Sequence, residues 1–289
     1  MRAAGDRAGE PLRLGISPCP NDTFTFSGIL AQMEGGERLS PLDFQVLLED
    51  VQALNEGLAR GAYDVAKASF HAALHLKEDY GVLPVGAALG FGVGPLLLAA
   101  SPELAERGPL EGDRVLCPGA WTTATLLYRI LLPKAPLPKQ RIFSEIMPAL
   151  LGGDADFGVV IHEGRFTYEQ KGLFLVKDLG EVYETKTKMP VPLGGILARK
   201  DLGEECLGRV VGAIRRSLEK ARRSPAEALP QMARYAQEFS EEVLWEHVRL
   251  YVNDATWELG EEGRAALRVL EEEAVRAGVI PGKGGLELW

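Results

Sequence analysis

The chain has 289 residues, 46% of them hydrophobic, with 32 Lys and Arg against 41 Asp and Glu for a formal net charge of −9. That length suits about two domains with real cores, and an acidic balance with no dense basic run argues against nucleic acid as a partner. No stretch approaches the roughly 18 consecutive apolar residues of a membrane span. Cys19, Cys117 and Cys206 lack paired spacing, as expected of reduced thiols and not of a disulfide framework. The first eleven residues, MRAAGDRAGEP, carry no apolar export segment, so a loose tail on a cytoplasmic protein is expected.

From Leu12 the pattern reads strand (12–16), loop, helix (23–33), strand (44–48), helix (51–60) and strand (63–69). In the loop SPCPNDTF, Pro18 and Pro20 remove two backbone donors. Asn21, Asp22 and Thr23 are helix-capping residue types, so the loop is read as one built to hold an anion. The same order recurs from Asp113: strand (114–117), the loop CPGAWTT, helix (122–132), strand (141–143), helix (146–151) and strand (155–162). In both copies a helix ends in Gly and the third strand is entered through an Asp, at Gly61-Ala62-Tyr63-Asp64 and Gly153-Asp154-Ala155-Asp156. The expectation is an α/β protein of two α/β domains joined by a double-crossing hinge. Its crossings fall in the Pro- and Gly-rich stretches 99–112 and 186–194. That division gives residues 12–98 with 194–289 as one domain and 99–193 as the other. A strand at 193–199 and helices at 203–222, 225–239, 241–252 and 261–277 are expected to return to the first domain.

In open parallel sheets, ligands sit beyond the carboxyl ends of the strands. That rule gathers the Ser17 loop, Lys67-Ala68-Ser69, Thr122-Thr123 and His162 in one place. His162 ends the apolar run 157–161 and suits a general base or acid near neutral pH, though a hydrogen-bonded histidine at a domain edge looks the same in sequence. Lys67 and Ser69 interrupt an apolar strand and need polar partners, which a ligand carboxylate or an internal salt bridge can supply. Thr122, Thr123, Asn21 and Asp22 fit either an anionic oxygen or plain capping. Cys19 is read as a small residue in a tight turn rather than a nucleophile, because no base adjoins it in sequence. His71 and His75 have the i, i+4 spacing of a metal pair but no third ligand in reach, and His247 reads as helix packing. Neither a phosphate loop nor a dinucleotide fingerprint occurs, so no nucleotide cofactor is implied.

SPCPNDTF from Ser17, KAS from Lys67, GVGPL from Gly92, Thr122-Thr123, IHEGRFTY from Ile161, PLGGILAR from Pro192 and HVRLYVN from His247 together resemble the 1,4-dihydroxy-6-naphthoate synthases of the futalosine route to menaquinone. The resemblance runs from about Leu12 into the last helices. It implies a fold like the type II periplasmic solute-binding proteins, used inside the cell as a lyase without metal or organic cofactor. It also implies His162 as proton acceptor, with Lys67, Ala68, Ser69, Thr122 and Thr123 binding the substrate. The implied substrate is cyclic dehypoxanthinyl futalosine, a small carboxylated molecule. Chorismate dehydratase of the same pathway and a non-catalytic cytoplasmic solute-binding protein are the alternatives. Oligomeric state is not legible in the sequence.

Overall fold

The computed structural model describes residues 10–162, 164–236, 240–282 and 285–289. The expected tail lies mostly outside them, as do Glu163 and the end of the helix expected over 225–239.

The chain opens with β1 (Leu12–Ile16), whose end passes through the two prolines into α1 (Pro20–Thr25) and, after Phe26, α2 (Ser27–Met33). One expected helix is therefore two, and it begins earlier: Pro20 takes the first helical position, where its missing N–H costs nothing. Then follow β2 (Phe44–Leu48), α3 (Val51–Ala59), β3 (Val65–Ser69), α4 (Phe70–Leu76), β4 (Tyr80–Val82) and β5 (Ala88–Gly90). Next come β6 (Leu96–Ala99), α5 (Pro102–Arg107), β7 (Val115–Cys117), α6 (Thr123–Leu131), β8 (Lys139–Gln140), α7 (Phe143–Leu151), β9 (Phe157–Val160), α8 (Gly164–Thr167), β10 (Phe174–Asp178) and α9 (Leu179–Thr187). The chain closes with β11 (Val191–Arg199), α10 (Glu204–Arg223), α11 (Pro225–Tyr235), α12 (Glu241–Tyr251), α13 (Asp254–Trp257) and α14 (Gly260–Arg276).

These strands form two sheets. The first runs β2-β1-β3-β11-β4 with β5 also on β11, and the second runs β10-β6-β9-β7-β8. Each contains a parallel triplet, β2-β1-β3 and β8-β7-β9, flanked by an antiparallel strand, so the internal repeat is one of topology. It is also one of chemistry. Asp64 at the entry of β3 receives the backbone N–H of Arg13 at 3.0 Å and its guanidinium at 3.1 and 2.9 Å. Asp156 does the same for Arg114 at 2.8, 3.1 and 2.7 Å. The Asp entering the third strand of each half thus pins the start of that half's first strand through a bidentate, charge-assisted clamp.

Two further expectations change. The strand anticipated at 141–143 is at Lys139–Gln140, because Phe143 already belongs to α7 and buries its ring. The first passage between sheets lies in residues 91–95 and not in 99–112, since Leu96–Ala99 is a fully buried strand of the second sheet. The Pro- and Gly-rich stretch surrounds α5 within the second lobe. Gly94 and Gly180 stand back to back where the chain passes between the lobes, and a Cβ on Gly94 would lie 2.2 Å from the Gly180 Cα, which explains both glycines.

The first sheet is packed by α2 and α10 over Leu14, Ile16, Val65 and Ile196. A larger cluster under α4, α6 and α14 joins the two lobes through Phe70, Leu97, Leu126, Phe157 and Leu267. Helices α11 and α12 cover α1 through Phe24, Leu218, Met232 and Leu244. Among the described residues, no helix is long and apolar enough to cross a membrane.

The two clamps differ in depth: side-chain exposure is 2% for Asp64 and 23% for Asp156. Removing the buried carboxylate leaves a backbone donor and a guanidinium unanswered, so Asp64→Ala should lower unfolding free energy by about 2–3 kcal/mol. Asp156→Ala should cost clearly less, and equal losses in denaturant titrations of the two variants would contradict this account.

Candidate active site

A cleft of about 670 Å³, its open mouth included, lies between the lobes at the carboxyl ends of the strands. Ser17, Asn21, Asp22, Lys67, Ala68, Ser69 and His247 line it from the first lobe, and Gly94, Thr122, Thr123, Ile161 and His162 from the second. All eight residues singled out from the sequence therefore face one space.

The Ser17 loop turns an acceptor inward. Asp22 turns back so that Oδ2 accepts from the Ser17 N–H at 3.2 Å and its hydroxyl at 2.7 Å, while Oδ1 accepts from Asn21 Nδ2 at 3.0 Å. The anion this loop holds is its own carboxylate. Lys67 completes the group, its Nζ 2.9 Å from Asp22 Oδ1 and 3.1 Å from the Gly86 carbonyl. An ammonium has three donors, which leaves one for the cleft.

Across the gap, Thr122 caps α6, its hydroxyl accepting from the Thr125 N–H at 3.3 Å and donating to the Gly119 carbonyl at 2.8 Å. Thr123 donates its hydroxyl to the Leu193 carbonyl of the other lobe at 2.7 Å. Asn55, in α3, accepts the Ser69 N–H at 3.0 Å and donates to Ser69 Oγ at 3.2 Å. The N–H groups of Thr123 and Ala124 make no hydrogen bond to any described residue and border the cleft. They sit at the positive end of the helix dipole, a ready place for an anionic oxygen.

His162 follows β9 in a left-handed backbone conformation, φ 55°, unusual for a residue with a Cβ. Phe143 meets its ring edge-on with centroids 5.0 Å apart, and the His247 ring lies nearly parallel to it at 5.9 Å. Nε2 is 3.7 Å from the Sγ of Cys19. Desolvation by the cleft walls pushes the His162 pKa down to about 4, with Asp22 opposing and Lys67 adding to the effect. At neutral pH the imidazole is therefore uncharged and able to accept a proton.

His247 is more than packing. Asn21 commits its Nδ2 to Asp22, so its Oδ1 is the atom 3.0 Å from His247 Nε2, and that nitrogen must carry the hydrogen. Burial pushes the His247 pKa well below 6.5, with His162 and Lys67 acting in the same direction. Periodicity gave no sign of this role, because a buried histidine on an amphipathic helix looks like core until the fold lays α12 against α1. Gly94, Pro95 and Tyr251 also line the cleft; they lie in the GVGPL and HVRLYVN segments of the resemblance, where no role was read for them individually. His71 and His75 lie away from the opening. His71 Nδ1 is 3.1 Å from the Thr122 carbonyl and its Nε2 is 3.3 Å from His75 Nε2, and burial takes His71 down to about 4.

Two lobes, each a mixed sheet covered by helices, joined by two passes of the chain and closing on one cleft, are the architecture of periplasmic-binding-protein-like folds. The alkanesulfonate-binding protein of Xanthomonas axonopodis superposes with a TM-score of 0.69 at 15% identity, covering 98% of this chain and 99% of that one. A crystal structure of a protein from Archaeoglobus fulgidus superposes with a TM-score of 0.86 at 32% identity over 95% of this chain and all of that one. The chain belongs to the menaquinone biosynthesis family, whose model matches residues 12–276. Its relatives include proteins named 1,4-dihydroxy-6-naphthoate synthase. The one from Thermus thermophilus is 43% identical over 93% of this chain and 96% of its own length. The one from Streptomyces coelicolor is 38% identical over 96% and 97%.

All four histidines have pKa values lowered by burial in the folded protein. The unfolded chain binds protons near pH 6.5 and the native one does not, so the stability this confers is complete above that pH and is lost as pH falls from 6.5 toward 4. Denaturant midpoints should drop steadily between pH 7 and pH 5, and His247→Gln, which keeps a donor for Asn21, should show a shallower slope. A variant with the wild-type slope would rule out His247 as a contributor.

Proposed function

We propose that this chain is a carbon–carbon lyase of menaquinone biosynthesis that splits cyclic dehypoxanthinyl futalosine into 1,4-dihydroxy-6-naphthoate and a three-carbon fragment, with His162 as the general base. The observation that carries the reading is a neutral imidazole on one wall of a cleft whose other features suit a carboxylated aromatic guest. Family membership and the names of its relatives support the same chemistry.

In this reading the substrate carboxylate meets the unpaired N–H groups of Thr123 and Ala124 and the remaining donor of Lys67, with Ser69 Oγ beside them. Ala68 contributes backbone only. The ring system lies against Val93, Pro95, Ile161 and Tyr251, apolar surface that displaces water and keeps His162 uncharged. His162 then takes a proton from carbon or oxygen of the substrate, and the electron pair released drives bond cleavage toward an aromatic product. Asp22, whose charge favours the protonated ring, steadies the imidazolium once it forms. The protein acts in the cytoplasm on a small molecule, without nucleic acid or membrane as partner. Its two domains comprise residues 12–90 with 191–289, and 96–187.

Incubation of the purified protein with the cyclic futalosine derivative should yield the naphthoate, read by mass detection. His162→Gln should retain binding of a product analogue and lose at least about 100-fold in kcat. Because the base must be unprotonated, kcat/KM should stay level from pH 8 to about 5 and fall tenfold per unit below about 4. Retained ligand with no product would favour a binding protein, and conversion of chorismate instead would favour a dehydratase.

A further inference from the structure

Cys19 is held more rigidly than a thiol that merely fills a turn. It stands between Pro18 and Pro20 as the N-cap of α1, at φ −64° and ψ 146°. Its N–H donates to Ser17 Oγ at 3.3 Å, and its carbonyl accepts the N–H groups of Asp22 and Thr23, both at 3.0 Å. With both sides of the peptide fixed, the direction of its Cβ is fixed too. That direction brings Sγ to 3.7 Å from Nε2 of His162, a normal hydrogen-bond separation for sulfur and too long for oxygen.

His162 has need of such a partner. Its ring packs against the edge of Phe143 and the face of His247, contacts that do not distinguish a ring nitrogen from a ring carbon. Turning the imidazole over would exchange the positions of nitrogen and carbon at little steric cost. Among the described residues, the Cys19 contact is the one hydrogen bond the ring makes, and it comes from the opposite lobe.

We propose that Cys19 is a positioning residue for His162: its sulfur accepts the hydrogen on Nε2, which holds the imidazole as the Nε2–H tautomer and turns the lone pair of Nδ1 toward the ligand. The inference rests on the reading of His162 as the base. Neither nitrogen is named by the sequence; with Nε2 committed to the sulfur, Nδ1 is the nitrogen left for the ligand. Because donor and acceptor sit on different lobes, the base acquires its working tautomer only when the cleft is assembled. Asp22, which pairs with Lys67, is the charged group that favours the ring's protonated form, so Cys19 is needed for direction and not for charge.

Two-bond ¹⁵N–¹H correlation spectra of histidine-labelled protein without ligand test this directly, the His162 signals being assigned by their loss in His162→Gln. In the wild type, Nε2 should carry the hydrogen and Nδ1 should appear as the unprotonated nitrogen. Cys19→Ala should mix the tautomers, lower kcat about tenfold with KM within about twofold, and move the acid limb of the pH profile to lower pH, since an acceptor of the imidazolium hydrogen is lost. Cys19→Ser, which restores a shorter-reaching acceptor, should recover part of kcat.

An Nδ1–H tautomer in the wild type overturns the proposal, as does a Cys19→Ala variant with unchanged tautomer and kcat. A rise in KM at constant kcat would make Cys19 a substrate contact instead. Loss of turnover in Cys19→Ser equal to that of Cys19→Ala, with a substrate adduct on the wild-type thiol, would make it a nucleophile. The spectra stand apart from the catalytic reading: wild-type turnover by His162→Gln would remove the base, whereas an essential His162 beside an indifferent Cys19 would remove only the positioning role.

Discussion

The ion pair between Asp22 and Lys67 is the interaction on which the cleft depends. Their side chains are 3% and 9% exposed, so both charges have given up most of their water, and attraction at 2.9 Å repays that loss only with further hydrogen bonds. The fold provides them from the Ser17 backbone and hydroxyl, the Asn21 amide and the Gly86 carbonyl. Hydrophobic residues of similar shape would serve stability as well or better, while loss of one partner alone would cost about 3–5 kcal/mol. What the pair secures is orientation. It ties the end of β1, the start of α1 and the middle of β3 together, sets which way Asn21 faces, and through Asn21 fixes the hydrogen on His247. A neutral pair of imidazoles beside a compensated pair of charges leaves the cleft with little net field of its own, so a carboxylate bound at α6 becomes its dominant charge.

The lobes meet along one rim of this cleft through directional contacts and not only through shared apolar core. Trp121 donates its N–H to Gln52 at 3.2 Å and offers its carbonyl to Asn55 at 3.4 Å, Thr123 reaches Leu193, and His71 addresses the Thr122 carbonyl. The residues that anchor the second lobe are thus the immediate neighbours of the N–H groups at the start of α6 that border the cleft. Any rocking of one lobe on the other would move the start of α6 relative to Lys67.

Much of the architecture was legible because it repeats. The strand-helix alternation and the Gly-then-Asp entry into the third strand in both halves correspond to parallel triplets pinned by Arg13–Asp64 and Arg114–Asp156. A local capping pattern thereby turned out to mark a long-range clamp. The carboxyl ends of the strands followed from the parallel rule, which is why residues far apart in sequence were gathered correctly around one cleft. What the pattern could not give was pairing. Asp22 and Thr23 look like helix caps in isolation, and only the approach of Lys67 shows why Asp22 folds back. Leu96–Ala99 reads as a buried apolar run with no hint of which sheet it enters, so the first passage was placed too late. His247 is silent because its partner, Asn21, lies more than two hundred residues away.

The interleaving of the strands has a consequence for how the molecule is made. Strand β11 lies between β3 and β4 and is also the partner of β5, yet it is delivered after every strand of the second sheet. During synthesis the first lobe must therefore wait, its interior seam unfilled, until the whole second lobe has left the ribosome, while the second can close early because β6 precedes the rest of its sheet. Assembly should proceed from the middle of the gene outward. Cutting the chain before β11 would leave the first sheet without the strand that joins β3 to β4 and β5.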